Sequence, residues 1–236
     1  MARLARVLLP ATPFHVTQRG NARQLVFEND SDRLVYLDLL QTHSRLQELS
    51  LLGYCLMSNH VHLIVVPDRA ESLPLTLRQT HGRYAAYFNA RHASSGHVWQ
   101  GRYYSCPLDL PHLWAALRYT ELNPVRAGLA KAPADYCWSS AAAHCGLAAA
   151  PFWLNMQPFR DSWKTVAWCE YLGQAGTREE TDAIRGSTHT GRPLGSADFV
   201  ARMEQALCRS LAAKHGGRPA KERDDERQTY LNFVAE

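Results

Sequence analysis

Met57-Ser58-Asn59-His60-Val61-His62-Leu63-Ile64-Val65-Val66 places two histidines around a single apolar residue at the head of a β-branched run. Side chains two apart on a strand project from the same face, with their α-carbons about 7 Å apart. His60 and His62 can therefore converge on one ion while Val61 packs on the other face. The same spacing also describes half-buried sheet surface, and the pair alone does not choose between the two. Leu51 to Met57 reads as a strand and Ser58-Asn59 as a tight turn, so the pair sits on the second strand of a hairpin closed by Pro67 and Asp68.

Working outward, Phe14 to Asn21 alternates as a strand running into a Gly-Asn turn. Asn29-Asp30-Ser31-Asp32 offers capping side chains ahead of Leu34, Leu37, Leu40, Leu46 and Leu49, which predicts a helix ending near Ser50. A second helix is expected from Leu75 to about Arg91, with Leu77, Tyr84, Ala85, Tyr87 and Phe88 inward and Arg78, Gln79, Arg83 and Asn89 on a basic exposed face. Tyr103 to Cys106 reads as a last strand, and Trp99 and Tyr103 as core rather than base-stacking platforms. The order β-α-β-β-α-β is that of an α+β, ferredoxin-like split βαβ fold, an antiparallel sheet with helices on one face.

Composition narrows the class. The 236 residues are 46% hydrophobic, enough to bury a core, and contain no run long and apolar enough to span a bilayer. A soluble, cytoplasmic protein is expected, without a membrane partner and in company with the nucleoid. The six cysteines form no CxxC pair, which excludes a zinc finger and a disulfide framework. The net charge of +4 is modest, but its distribution is uneven. Up to residue 25 there are Arg3, Arg6, Arg19 and Arg23 and no acid; between residues 69 and 102, Arg69, Arg78, Arg83, Arg91 and Arg102 face only Glu71. Such segments suit a polyanionic partner.

A second chemical element follows the sheet. Asp109, Leu110 and Pro111 open a helix whose stripe Leu113, Ala116, Leu117 runs on to Tyr119-Thr120-Glu121-Leu122-Asn123-Pro124. Pro124 predicts that the helix stops at Asn123, with Tyr119 one turn earlier on the same face. Two imidazoles and the Asn123 carbonyl oxygen form a mixed donor set suited to Mg²⁺ or Mn²⁺. The Tyr119 phenol is then the candidate nucleophile. A tyrosine hydroxyl ordinarily titrates near pH ~10, so its attack on a phosphodiester needs electrostatic help.

Four motifs now stand in order: Gln18-Arg19-Gly20-Asn21, Met57 to Leu63, Gly96-His97-Val98-Trp99-Gln100-Gly101-Arg102-Tyr103, and Tyr119 to Leu129. Together they resemble the single-strand DNA transposases of the HUH class with one catalytic tyrosine, and in particular the REP-associated tyrosine transposases. The resemblance spans about residues 13–147, with Ser58 standing where a proline is commoner. It implies that His60 and His62 are the HUH pair, Asn123 the third metal ligand and Tyr119 the nucleophile. Arg19 and Asn21 of the first motif, with Arg83 and Arg102, are the candidate DNA contacts.

Beyond residue 147 the character changes. Residues 148–151 read as a linker, Trp153 to Tyr171 is rich in aromatics, Arg185 to Pro193 reads as a polar loop, and Ser196 to Leu211 as an amphipathic helix carrying Phe199, Met203 and Leu207. Lys214 to Arg227 has nearly balanced charge and reads as a flexible tail, in which Gly216-Gly217-Arg218-Pro219 is only a weak match to a minor-groove arm. The expected organisation is a catalytic domain over residues 1–147 and a helical C-terminal region over residues 148–236. The activity expected is metal-dependent cleavage and strand transfer on single-stranded or hairpin DNA through a phosphotyrosine, by a monomer or weak homodimer. The alternative is a non-catalytic, regulatory hairpin-DNA-binding protein.

Overall fold

The computed structural model describes residues 6–174 and 176–212; the charged segment from Lys214 lies outside them. Strand β1 (Phe14–Arg19) is followed by α1 (Asp30–Leu46), β2 (Leu49–Met57), β3 (His60–Pro67), α2 (Ser72–Arg91) and β4 (Tyr104–Pro107). The four strands form one antiparallel sheet in the order β2-β3-β1-β4. This is the α+β, split βαβ arrangement that the sequence predicts.

Register assigns the side chains to faces. Thr17 stands opposite His62 and Arg19 opposite His60. One face of the sheet therefore carries His15, Thr17, Arg19, His60 and His62, and the other Phe14, Val16, Val61 and Leu63. The apolar face is covered by α1 and α2, which pack on each other and on β2 and β3. The histidine face is covered by α3 (Leu110–Glu121) and, further along, by α8 (Arg178–Thr190), which lies on β1 and β4, so helices lie on both faces of the sheet and not on one as expected.

Several element boundaries differ from those the sequence predicts. In α1 the buried stripe is Asp32, Tyr36, Leu40 and His43, whereas Leu34 and Leu46 are each 59% exposed. The cap decides this phase. The Asn29 side chain accepts from Asp32 N–H at 3.1 Å, and the buried Asp32 carboxylate also takes Tyr87 Oη at 3.0 Å and Arg91 Nη1 at 3.1 Å. Leu49 opens β2 instead of closing the helix. In α2 the first turn starts at Ser72 and holds Pro74, where a missing N–H leaves nothing unsatisfied. Trp99 and Tyr103 are buried, with Trp99 packed on His81, Tyr84 and Tyr36.

The helix carrying Tyr119 ends at Glu121, two residues before the stop expected at Asn123, and a short further helix follows it. After Glu121 the chain turns through Leu122 into α4 (Asn123–Arg126), with Pro124 in its first turn. A proline there lacks only a hydrogen bond that the position would not make, which is why a new helix can start at Asn123.

The described residues after α4 carry α5 (Ala141–His144), α6 (Gln157–Ser162), α7 (Thr165–Gly173), α8 and α9 (Ala197–Leu207). The expected polar loop from Arg185 to Pro193 is, as far as Thr190, the second half of α8. Thr177 and Glu180 form its capping box, and Gly191, at φ 79°, supplies the left-handed residue that ends it. In α9 the expected stripe is found: Met203 is buried with Val7 and Leu211, beside Phe199 and Leu207.

Residues after 137 also close both sheet edges. Leu56 N–H donates to Trp138 O at 2.9 Å and Asn155 N–H to Leu51 O at 2.8 Å along β2, while Leu194 N–H donates to Pro107 O at 2.9 Å beside β4. Leu154, Phe159, Trp168, Leu172 and Ile184 share one hydrophobic core with the sheet.

A buried carboxylate ties this region to α3. Glu121, fully buried, accepts from Ser140 Oγ at 2.6 Å and Trp168 Nε1 at 2.9 Å, and lies 2.5 Å from His144 Nδ1. Glu121→Ala leaves His144 Nδ1 and Trp168 Nε1 unpaired inside the core, so it should cost about 3–5 kcal/mol in denaturant unfolding. A loss below about 1 kcal/mol would contradict this anchoring.

Acid should also weaken the fold. His81 is held against Tyr36 Oη at 3.0 Å, and burial pushes its pKa down from 6.5 to about 3. The folded chain keeps this imidazole neutral while the unfolded chain protonates it. Its stabilisation is therefore complete above pH 6.5 and is lost as pH falls towards about 3. Thermal melts from about pH 7 to about pH 4 should show a falling Tm, with a shallower fall for His81→Gln. Parallel slopes for the two proteins would contradict the assignment.

Candidate active site

The β1–β3 register and the position of α3 bring the sequence-derived residues together. The His60 and His62 rings stand 5.0 Å apart between centroids, at 81°. The edge of His62 meets the Tyr119 ring at 5.6 Å, and the edge of His15 meets it at 5.7 Å. These groups line a cavity of about 640 Å³ together with Arg19, Arg23, Asn123, Arg126 and Arg185.

Both histidines of the pair are held in the neutral form. Burial, with Arg19 nearby, lowers the His60 pKa to about 4, and burial with the neighbouring His15 and His60 holds His62 well below its ordinary value. Both rings are thus neutral, as metal binding requires. His60 Nδ1 sits 2.6 Å from Asn59 Oδ1, an acceptor, which leaves Nε2 with its lone pair.

Asn123 is buried at the α3–α4 junction. Its amide nitrogen donates to Tyr119 O at 3.1 Å and Thr120 O at 3.2 Å. Both amide hydrogens are spent on the helix end, so the oxygen is the part of the side chain that can serve a cation. Among the described residues no three His, Cys, Asp or Glu side chains form a metal-holding group. Two imidazole nitrogens and one amide oxygen nevertheless fit a hard divalent ion that keeps positions for water and phosphate.

The Tyr119 ring is held on its face and at its oxygen. Arg126 lies over the ring at 4.3 Å and donates to Tyr119 O at 2.5 Å, while Arg185 Nε donates to the phenol oxygen at 3.3 Å. Two guanidinium groups beside the phenol suit a phosphodiester substrate.

The expected DNA contacts separate. Arg19 lines the cavity with the histidines. Arg102 lines a second cavity, of about 670 Å³, with Gln18, Arg78, His81 and Trp99. Asn21 is exposed and uses its N–H on Val98 O at 2.8 Å, and exposed Arg83 on α2 lies near His43; neither lines either cavity.

Sequence reasoning missed His15, Arg185 and Thr188 and gave Arg126 no role. His15 shares the parity of Thr17 and Arg19, a signal legible once β1 is paired with β3. The Thr177-x-x-Glu180 cap and Gly191 mark the helix that carries Arg185 and Thr188.

The family model described as "Transposase IS200 like" matches residues 10–122, a span that contains His60, His62 and Tyr119 and ends one residue before Asn123. No curated protein matches the chain. Among solved structures, a REP-associated tyrosine transposase bound to a REP hairpin superposes with a TM-score of 0.53 at 15% identity, covering 64% of this chain and 89% of that one. A putative transposase from Deinococcus radiodurans aligns with a TM-score of 0.36 at 15% identity, covering 54% and 92%. Residues 10–122 thus match the model of the IS200-like transposase family, and the sheet and helices share the fold of the REP-associated tyrosine transposase.

Proposed function

We propose that the chain is a metal-dependent endonuclease and strand transferase for single-stranded DNA, cutting beside a hairpin through a phosphotyrosine on Tyr119. The observation that carries this reading is the seating of the Tyr119 phenol against His62, with its oxygen held by Arg185, in the cavity that also contains His60 and Asn123. A hairpin substrate is supported by the structural relative, which was solved with a REP hairpin.

His60, His62 and Asn123 would hold Mg²⁺ or Mn²⁺. Such an ion, when bound, supplies positive charge to a non-bridging oxygen of the scissile phosphate. Arg19, Arg126 and Arg185 surround the same cavity and bind the phosphate backbone. The Tyr119 oxygen attacks phosphorus as its proton leaves; the new P–O bond joins DNA to the ring, and the broken P–O bond releases a 3′ oxygen that takes up a proton. Attack by another 3′ hydroxyl reverses these steps and joins strands without ATP. Phenol, imidazoles and amide all come from one chain, so a monomer suffices for cleavage.

Tyr119→Phe removes one oxygen at the cavity wall, so stability should change by no more than about 1 kcal/mol. With labelled hairpin DNA and Mn²⁺, the wild type should give a covalent adduct, and both adduct and nick should vanish in Tyr119→Phe and in His60→Ala or His62→Ala, with hairpin retention kept. An adduct formed by the Phe variant would assign the nucleophile elsewhere. Hairpin retention without any wild-type adduct would point to the non-catalytic binder.

A further inference from the structure

Helix α8 reaches the metal-facing histidine through a chain of three side chains that ends on its own backbone. Thr188 Oγ1 donates its single proton to Ile184 O at 2.7 Å. Towards His15 Nδ1, at 2.7 Å, the same oxygen can therefore only accept, so Nδ1 of His15 carries a proton. The Cys106 thiol, 3.3 Å from that oxygen, can join only as a further donor. The His15 ring is enclosed between Thr188 and His62, where burial favours the neutral form, so its Nε2 is a bare acceptor.

That acceptor lies 2.9 Å from His62 Nδ1, with the two rings within 9° of parallel and their centroids 5.1 Å apart. This is the geometry of an in-plane N–H···N bond, and its proton must sit on His62 Nδ1. His62 Nε2 is then left with a lone pair. The opposite assignment would turn the Thr188 proton towards His15 and away from Ile184 O.

We propose that Thr188 and His15 are positioning residues that hold His62 in the Nδ1-protonated tautomer and so present its Nε2 to the divalent cation. The proposal rests on the reading of His62 as a metal ligand. It makes α8, which lies outside the family match at residues 10–122, a working part of the site. Outer partners of ligating histidines typically contribute about 10–100-fold in metal affinity.

The test compares the wild type with Thr188→Val, which keeps the shape and loses the hydroxyl, and Thr188→Ser, which restores it. Nitrogen-15 histidine NMR of the metal-free proteins should show His62 protonated at Nδ1 in the wild type and in Thr188→Ser, and mixed between tautomers in Thr188→Val. Mn²⁺ titration should then show Thr188→Val binding about 10-fold or more weakly, with Thr188→Ser close to the wild type. A wild-type His62 protonated at Nε2 overturns the proposal, whatever the fate of the variants. An unchanged tautomer and unchanged Mn²⁺ affinity in Thr188→Val overturn it too. Failure of the wild type to bind Mn²⁺ would instead remove the metal reading, and the wild-type tautomer would still decide the relay.

Discussion

The antiparallel register between β1 and β3 is the constraint on which the site depends. A slip of one residue would carry His15, Thr17 and Arg19 to the apolar face and separate them from His60 and His62. Local bonds hold it: Thr17 Oγ1 donates to Val61 O at 2.9 Å, and Gly20 N–H donates to Asn59 O at 2.8 Å beside the hairpin turn. The apolar face holds it as well, since Phe14, Val16, Val61, Leu63 and Val65 are all fully buried.

With the strands in place, α3 must come close enough to bring its tyrosine over the histidines. A Cβ at Gly53 would lie 2.3 Å from Leu117 Cδ1, so this glycine sets how near the helix sits to β2. Glu121, two residues after Tyr119, is anchored by Ser140, His144 and Trp168. Tyr119 is thus aimed from behind by the C-terminal region and from the front by Arg126 and Arg185. The segments beyond residue 137 close the sheet, fix the helix of Tyr119 and touch its phenol oxygen.

The sheet and the local motifs were legible in the sequence because they rest on periodicity and turn chemistry. His-x-His on a strand, Tyr119 one turn before Asn123 and the β-α-β-β-α-β order all need only short-range rules. The relation of His15 to His62 is 47 positions long and needs a strand register. The Thr188 and Arg185 contacts depend on α8, whose few apolar residues, Ile184 among them, hide its helical period. Propensity rules also missed the short helix α4, since a proline that breaks a helix interior is welcome in a first turn. The arginines were read from charge density, which does not say which way each one faces; Arg19 reaches the site, and Arg83 and Arg102 do not.

The central claim is that one ion binds between β3 and the α3–α4 junction. Anomalous diffraction at the manganese edge, from crystals of the full chain grown with Mn²⁺, tests it most directly. A single peak bound by His60 Nε2, His62 Nε2 and Asn123 Oδ1, facing the Tyr119 oxygen across the cavity, is the result the account predicts. A peak ligated through either Nδ1, or held by other residues with Asn123 uninvolved, would contradict it.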